Sequence, residues 1–183
     1  GRLSTINPNL QNIPRDSDVK FSIRSAFIVG QGKKIISLDY SHIELRVLAH
    51  ITKDSLLCDM FNQNIDIHSK TASEIFSVSI DRVTKEQRQL AKKINFSIIY
   101  GLSAYGLSKE LNISKKEAGE YIDKYKLTFP LVFSWMDSVK EEAEKNGFVK
   151  TLFGRKREIP ELLDSNDNVK KYGFRMAVNT IIQ

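Results

Sequence analysis

The sequence predicts an α+β chain, with a few strands at its start and a mainly helical body after them. Two β-branched, apolar segments, Ser22–Val29 and Lys34–Leu38, flank the turn Gly30-Gln31-Gly32, which is the pattern of a hairpin. After Ser41, apolar residues recur at helical spacing, and helix start and stop signals follow one another to the end of the chain. Strands and helices thus fall in separate stretches rather than alternating.

Residues 1–18 are rich in Asn, Pro, Ser and Asp without periodicity, so an extended loop is expected. The second strand ends at Asp39. From Ser41 onward, Ile43, Leu45, Val47 and Leu48 lead into a helix to about Ile51. Asp54 or Ser55 can cap a short helix through Phe61, and another covers Ile67–Phe76. Thr84 precedes Gln87 by the capping-box spacing, opening a helix that Gly101 stops after Tyr100. Ser114 opens the next helix, to about Phe129, and Pro130 starts one that ends at Asn146-Gly147. Phe148–Leu152 and Glu158–Ile159 suit a small hairpin around Phe153-Gly154-Arg155. A last helix starts near Asn166 and is still running at Gln183.

The composition, 41% hydrophobic and 27% charged, excludes a wholly disordered chain. No run of 18 apolar residues is present, so no membrane span is expected. A single cysteine, Cys58, excludes an intramolecular disulfide and a cysteine zinc cluster, and a reducing compartment is the natural reading. Gly1-Arg2-Leu3-Ser4 carries no signal-peptide pattern. The chain lacks an initiator Met and stops inside an apolar-patterned stretch, so it is expected to be an excised piece of a longer protein. Net charge is +6, and residues 82–126 alone carry +5. Such a concentration suits a polyanionic partner, with a merely soluble basic surface as the alternative.

Two stretches carry chemistry. In Leu38-Asp39-Tyr40-Ser41-His42-Ile43-Glu44-Leu45-Arg46, a strand-end Asp can present a carboxylate beside a backbone carbonyl, oxygen ligands of the kind Mg²⁺ takes. The same Asp could instead cap the following helix. In the second, Arg88, Lys92, Phe96 and Tyr100 recur every fourth residue. They share one side of a helix over roughly 18 Å. Two cations followed by two rings match the phosphates and base of a nucleoside triphosphate. The alternative is an amphipathic helix with its rings in the core and its cations snorkelling. Leu90, Ile94 and Ile98 supply a separate apolar face that could bury the helix.

Asp39-Tyr40-Ser41-His42-Ile43-Glu44-Leu45-Arg46 resembles motif A of the family A DNA polymerases, the bacterial DNA polymerase I type. Arg88-x3-Lys92-x3-Phe96-x3-Tyr100-Gly101 resembles their motif B, on the mobile helix of the fingers. Gly1-Arg2-Leu3-Ser4 and Pro8-Asn9-Leu10-Gln11-Asn12-Ile13-Pro14 resemble the segment that contacts primer and template. Asp66-Ile67-His68, Thr151-Leu152-Phe153-Gly154-Arg155 and Arg175-x3-Asn179-x3-Gln183 fit in order and spacing, so the match spans the chain.

The resemblance implies a partial palm over 1–45, helical fingers over 46–165 and a return to the palm over 166–183. It implies two Mg²⁺ ions in the complete active site, with Asp39 as their ligand and the Tyr40 carbonyl on one of them. Glu44 would be a steric gate at the sugar with Tyr100 against it. His68, Arg88 and Lys92 would hold the triphosphate, Phe96 would lie beside sugar and base, and Lys92 could protonate the leaving pyrophosphate. Arg2, Asn9, Gln11, Asn12, Arg155, Arg175, Asn179 and Gln183 would touch DNA. On their own residues, Asn9 and Asn12 also suit turns, Arg155 a solvated hairpin tip, His68 a helix-start polar residue, and Arg175 and Asn179 the polar side of the last helix.

His42 stands where the family usually has Gln, and Ser97 where it usually has Gly. The family's His-Asp-Glu segment, with the second metal-binding carboxylate, would lie beyond Gln183, and the thumb before Gly1. The expected parent is therefore a monomeric, template-directed DNA polymerase acting on primer–template DNA and deoxynucleoside triphosphates. It would act in the bacterial cytoplasm at the nucleoid, or in an organelle, and the fragment itself is expected to be inactive. A non-catalytic nucleic-acid-binding module explains the basic excess but not Asp39–Glu44. A relative specialised for RNA synthesis is disfavoured by Glu44.

Overall fold

Six of the eight α-helices among the described residues start where a short polar side chain accepts from an N–H group of the first turn. The computed structural model describes residues 3–13 and 23–183. The chain divides into two units, Gly1–Ser41 and His42–Gln183.

In the first unit the described residues form turns rather than strands. Asn9 caps a 3-10 turn at Leu10–Asn12, its side chain accepting from the Gln11 N–H. A second 3-10 turn covers Ile23–Ala26, and the Arg24 guanidinium donates to the Ile13 carbonyl (3.1 Å). The expected turn forms, with the Lys33 N–H bonding to the Gly30 carbonyl and Gly32 at φ +74°. The expected hairpin does not: neither 23–29 nor Lys34–Leu38 joins a ladder, and Ser22 lies outside the described residues. The reason is burial. Ile28, Ile36 and Leu38 are 80–90% exposed, and a two-stranded ribbon without an apolar surface to pack on is marginal in water. The β-propensity of these residues measures packing that the described residues do not supply.

The second unit contains eight α-helices and one short hairpin among its described residues. Helix α1 (Ile43–Thr52) follows an uncapped start, while α2 (Ser55–Asn62) and α3 (Ile67–Phe76) are capped by Asp54 and Asp66. Helix α4 (Lys85–Ile99) carries the full capping box. Thr84 accepts from the Gln87 N–H (3.2 Å), and the Gln87 side chain accepts from the Thr84 N–H (3.0 Å). Ser103 caps α5 (Ala104–Leu111) and Ser114 caps α6 (Lys115–Thr128). Pro130 begins α7 (Pro130–Asn146), which Gly147 ends in the left-handed conformation. Asn166 caps α8 (Asp167–Ile182).

The hairpin pairs β1 (Phe148–Lys150) with β2 (Lys156–Glu158), antiparallel, with Val149 opposite Arg157. Its second strand starts two residues earlier than the sequence suggested. One core runs through the helices, with Leu45 and Leu48 of α1, Ile94 and Ile98 of α4, Tyr125 of α6 and Val132 of α7 all buried. Helix α8 belongs to this unit and packs on α7, β1 and the 3-10 turn Pro160–Leu163. That last approach needs Gly173, where a Cβ would come within 3.0 Å of Leu162 Cδ2 and 3.3 Å of its backbone nitrogen.

Candidate functional site

Helix α4 presents two faces with different duties. Ala91, Ile94 and Ile98 are buried and hold the helix in the core. Arg88, Phe96 and Tyr100 are half-buried and Lys92 is exposed, and only Tyr100 of the four packs against the core. Phe96 and Tyr100 stack with centroids 6.3 Å apart and planes 29° apart. At the end of the stripe the Tyr100 hydroxyl donates to the Glu44 carboxylate of α1. A cation-to-aromatic gradient thus terminates at a carboxylate.

The packing of α3 on α4 adds the remaining groups. Arg88 donates to both oxygens of Asp66, Nε to Oδ2 at 2.7 Å and Nη2 to Oδ1 at 2.9 Å. Burial works to raise the Asp66 pKa, but bonds from Arg88 and Ser69 outweigh it and hold the carboxyl well below the usual carboxylate range. His68, two residues on, is only 1% exposed. Its ring meets His42 edge-on at 5.1 Å and Phe96 at 5.8 Å. Burial, then the neighbouring His42, Arg88 and Lys92, push the His68 pKa down to about 4, against the pull of Asp66. The imidazole is therefore neutral near pH 7 and closed off by rings, not open to solvent.

Two residues in this cluster escaped the sequence reading. Nothing in the sequence pairs Asp66 with Arg88, 22 residues on. Asn95 is fully buried and bonds to Thr71 and His68. Its signal was a polar side chain in the apolar stripe with Ala91 and Ile98, at spacings of four and three. Of the two departures from the family pattern, His42 packs on His68, and the Ser97 hydroxyl donates to Glu110 Oε2 (2.7 Å), turned toward α5.

Other expected residues lie elsewhere. Arg175 of α8 packs its side chain beside Gly101, directly after α4. Asn179 has a buried Oδ1 without a hydrogen-bond partner, and Gln183 is exposed at the end of α8. Arg155 is exposed in the hairpin loop, where its N–H bonds the Thr151 hydroxyl. In the first unit, Asn9 caps its turn and Gln11 Nε2 donates to the Leu3 carbonyl (2.8 Å), while Asn12 is exposed. Arg2 lies outside the described residues.

Asp39 and Tyr40 are both exposed. The cap position of α1 is His42, at φ +53°, with no side-chain cap bond, so Asp39 is not used as the helix cap. A carboxylate beside a backbone carbonyl suits Mg²⁺, which keeps waters and phosphates as its other ligands. Among the described residues no group of three or more His, Cys, Asp or Glu gathers to hold an ion. No helix among the described residues is long and apolar enough to cross a membrane.

The whole chain, residues 1–183, matches the family model described as DNA polymerase family A. It is 48% identical to the DNA polymerase I of Bacillus caldotenax over its full length, covering 21% of that protein. It is likewise 48% identical to that of Bacillus subtilis, covering 21%. The chain thus spans about a fifth of the curated relatives it matches. Among solved structures it resembles the POL domain of Pol1 from M. smegmatis in complex with DNA primer-template and dNTP. That likeness has a TM-score of 0.88 and 42% identity, and covers all of this chain and 32% of the other.

Proposed function

The chain belongs to DNA polymerase family A, and from that we propose that its parent protein is a template-directed DNA polymerase. A primer 3′-hydroxyl attacks the α-phosphate of a bound deoxynucleotide, the bond to the β-phosphate breaks, and pyrophosphate leaves. The observation that carries this reading is the α4 stripe: Arg88, Lys92 and Phe96 lie outside the buried core, and Tyr100, packed at its edge, bonds Glu44 at the aromatic end.

In this reading Arg88, Lys92 and His68 receive the triphosphate, and Lys92 is placed to give a proton to the leaving pyrophosphate. Phe96 flanks sugar and base, and Glu44, braced by Tyr100, crowds the position of a 2′-hydroxyl. Asp39 and the Tyr40 carbonyl would hold Mg²⁺, which when bound neutralises phosphate charge and acidifies the attacking hydroxyl. Arg2, Asn9, Gln11, Asn12, Arg155, Arg175, Asn179 and Gln183 serve primer–template DNA, through backbone and groove contacts that carry little sequence information. In the family's terms 1–45 is palm, 46–165 fingers and 166–183 the return to the palm. We take the parent to act as a monomer in the bacterial cytoplasm, at the nucleoid, a reading that the bacterial relatives support.

The test is primer extension by the full parent protein. Asp39→Ala should abolish synthesis and leave primer–template affinity within roughly a factor of three, because the carboxylate acts chiefly in the transition state. Undiminished turnover at saturating Mg²⁺ overturns the assignment of Asp39.

A further inference from the structure

Three buried polar side chains line up between α3 and α4. The Thr71 hydroxyl donates to Asn95 Oδ1 (3.2 Å), and Asn95 Nδ2 meets His68 Nδ1 at 3.0 Å. None of the three residues is more than 1% exposed. Polar groups this deep are costly unless paired. Within this line one side-chain nitrogen is left without a partner, His68 Nε2.

The order of donors and acceptors sets the tautomer. A hydroxyl that donates to Asn95 Oδ1 leaves the amide NH₂ as the group facing His68. Nδ1 is then the accepting, unprotonated nitrogen, and a neutral imidazole carries its one hydrogen on Nε2. We infer that Asn95, anchored by Thr71, is a positioning residue that fixes His68 as the neutral Nε2–H tautomer, reserving a hydrogen-bond donor for an anionic oxygen of the incoming triphosphate. The triphosphate role rests on the nucleotide reading of this face; the tautomer does not.

Burial first, and then the charge around the ring, keeps it neutral. The groups that face His68 are His42 at the start of α1, Asp66 at the cap of α3, and Arg88 and Lys92 on α4. Three of these four disfavour an imidazolium, and only Asp66, already bound by Arg88, favours it. A neutral donor next to fixed cations can meet a phosphate without a proton being gained or lost as pH varies. Nε2 has no accessible surface, and the His42 and Phe96 rings pack against the imidazole. A phosphate oxygen therefore reaches the donor only once one of those side chains turns away. The unpaired Nε2–H then gains its missing partner, which favours the open arrangement only when an acceptor is present.

The tautomer is read directly by long-range ¹H–¹⁵N spectra of the full parent protein labelled with ¹⁵N-histidine, His68 being assigned by its loss in His68→Gln. We expect a protonated Nε2 and a bare Nδ1 between pH 7 and 8. A hydrogen on Nδ1 overturns the proposal whatever the enzyme's kinetics. Asn95→Asp supplies the functional arm. Its carboxylate accepts from Nδ1, so the neutral ring presents a lone pair at Nε2 and repels phosphate. The dNTP KM should rise roughly tenfold at pH 8.5. It should recover as pH falls and the ring protonates, while the wild type stays flat. A pH-independent loss, as simple damage to packing gives, overturns the positioning role, as does no loss at all. Should Asn95→Asp not fold, the wild-type spectra still decide. Failure of the underlying nucleotide reading looks different: an Nε2–H spectrum together with an unchanged dNTP KM in His68→Gln, which removes the triphosphate role.

Discussion

Asp66 grips the Arg88 guanidinium through both carboxylate oxygens and with the same group caps α3, accepting from the Ser69 N–H at 3.0 Å. One side chain therefore sets the start of the helix that carries His68 and the direction of the first cation on α4. Any anion that recruits Arg88 must compete with Asp66 or share the guanidinium with it.

Asp66→Asn isolates the ion pair, since Asn caps a helix about as well as Asp. The folded-state pKa of Asp66 is depressed below its ordinary 3.8. Above that value both states are ionised and the full stabilisation is present. Below it the unfolded chain takes up a proton that the folded chain refuses, so stability falls as pH falls. The pair is about a third exposed on each side, which limits its worth to about 1 kcal/mol. Unfolding followed from pH 7 to 3 should show the wild type losing this increment on the acid side and Asp66→Asn lacking that slope. Parallel slopes would mean the pair is not kept in solution.

Lys92→Ala should depress nucleotide incorporation far more than DNA affinity. Lys92 is exposed on the α4 stripe, one turn from Arg88, and the proposed function sets its charge against triphosphate rather than duplex. A loss of roughly 10²-fold in kcat/KM for dNTP is the scale for removing one charge stabiliser at a reacting phosphate. Equilibrium binding to primer–template should move by less than about threefold, because Lys92 is not among the residues proposed to contact the duplex and only a long-range, salt-screened attraction is lost. Uniformly weaker DNA binding with unaltered dNTP kinetics would place Lys92 in the duplex interface instead.

Local signals were legible in the sequence, and those that need burial or distance were not. Thr84 and Gln87, Pro130, Gly147 and Asn166 mark helix ends through their own backbone chemistry, and each lies at the expected boundary. Helix α5 is masked in the sequence, where Gly101 and Gly106 bracket its start like a loop. In the fold Gly106 is helical, and a Cβ there would come within 2.7 Å of Leu102 Cγ. The Ile35, Ile36 and Leu38 segment looked like a strand because propensity registers side-chain type, not the surface it packs on. At the site, the α4 stripe was visible because its residues share one helix. Asp66 with Arg88 and Asn95 with His68 are 22 and 27 residues apart, and only tertiary packing joins them.

Glu44 and Tyr100 are joined by a hydrogen bond from α1 to the end of α4, so sugar discrimination should depend on both. Glu44→Ala removes the proposed crowding group, and ribonucleotide incorporation relative to deoxynucleotide should rise by about 10²-fold or more. Tyr100→Phe keeps the ring and removes the hydroxyl that donates to the carboxylate. It should shift the same ratio in the same direction, by a smaller factor on the order of 3–10 for one lost hydrogen bond. The ratio measured in single-nucleotide extension decides the matter. An unchanged ratio in Glu44→Ala rejects the gate, and an unchanged ratio in Tyr100→Phe alone confines the bond to a structural role.

Gly101 ties the end of α4 to α8, and its substitution should separate stability from DNA binding. Its φ is +71°, and an added Cβ would sit 2.8 Å from Arg175 Cγ. Gly101→Ala carries two penalties: a left-handed backbone for a residue with a side chain, worth about 1–2 kcal/mol, and displacement of the Arg175 side chain. The first affects only stability; the second moves a residue proposed to touch DNA. In the otherwise wild-type protein, Gly101→Ala should lower stability and also weaken primer–template binding. In an Arg175→Ala background the clashing methylenes are gone, so the stability cost should shrink to the backbone part and the further loss of DNA affinity should vanish. Unfolding and equilibrium DNA binding across this double-mutant cycle measure both effects. Equal weakening of DNA binding by Gly101→Ala in the two backgrounds would show that the glycine acts on DNA through α4 itself and not through Arg175.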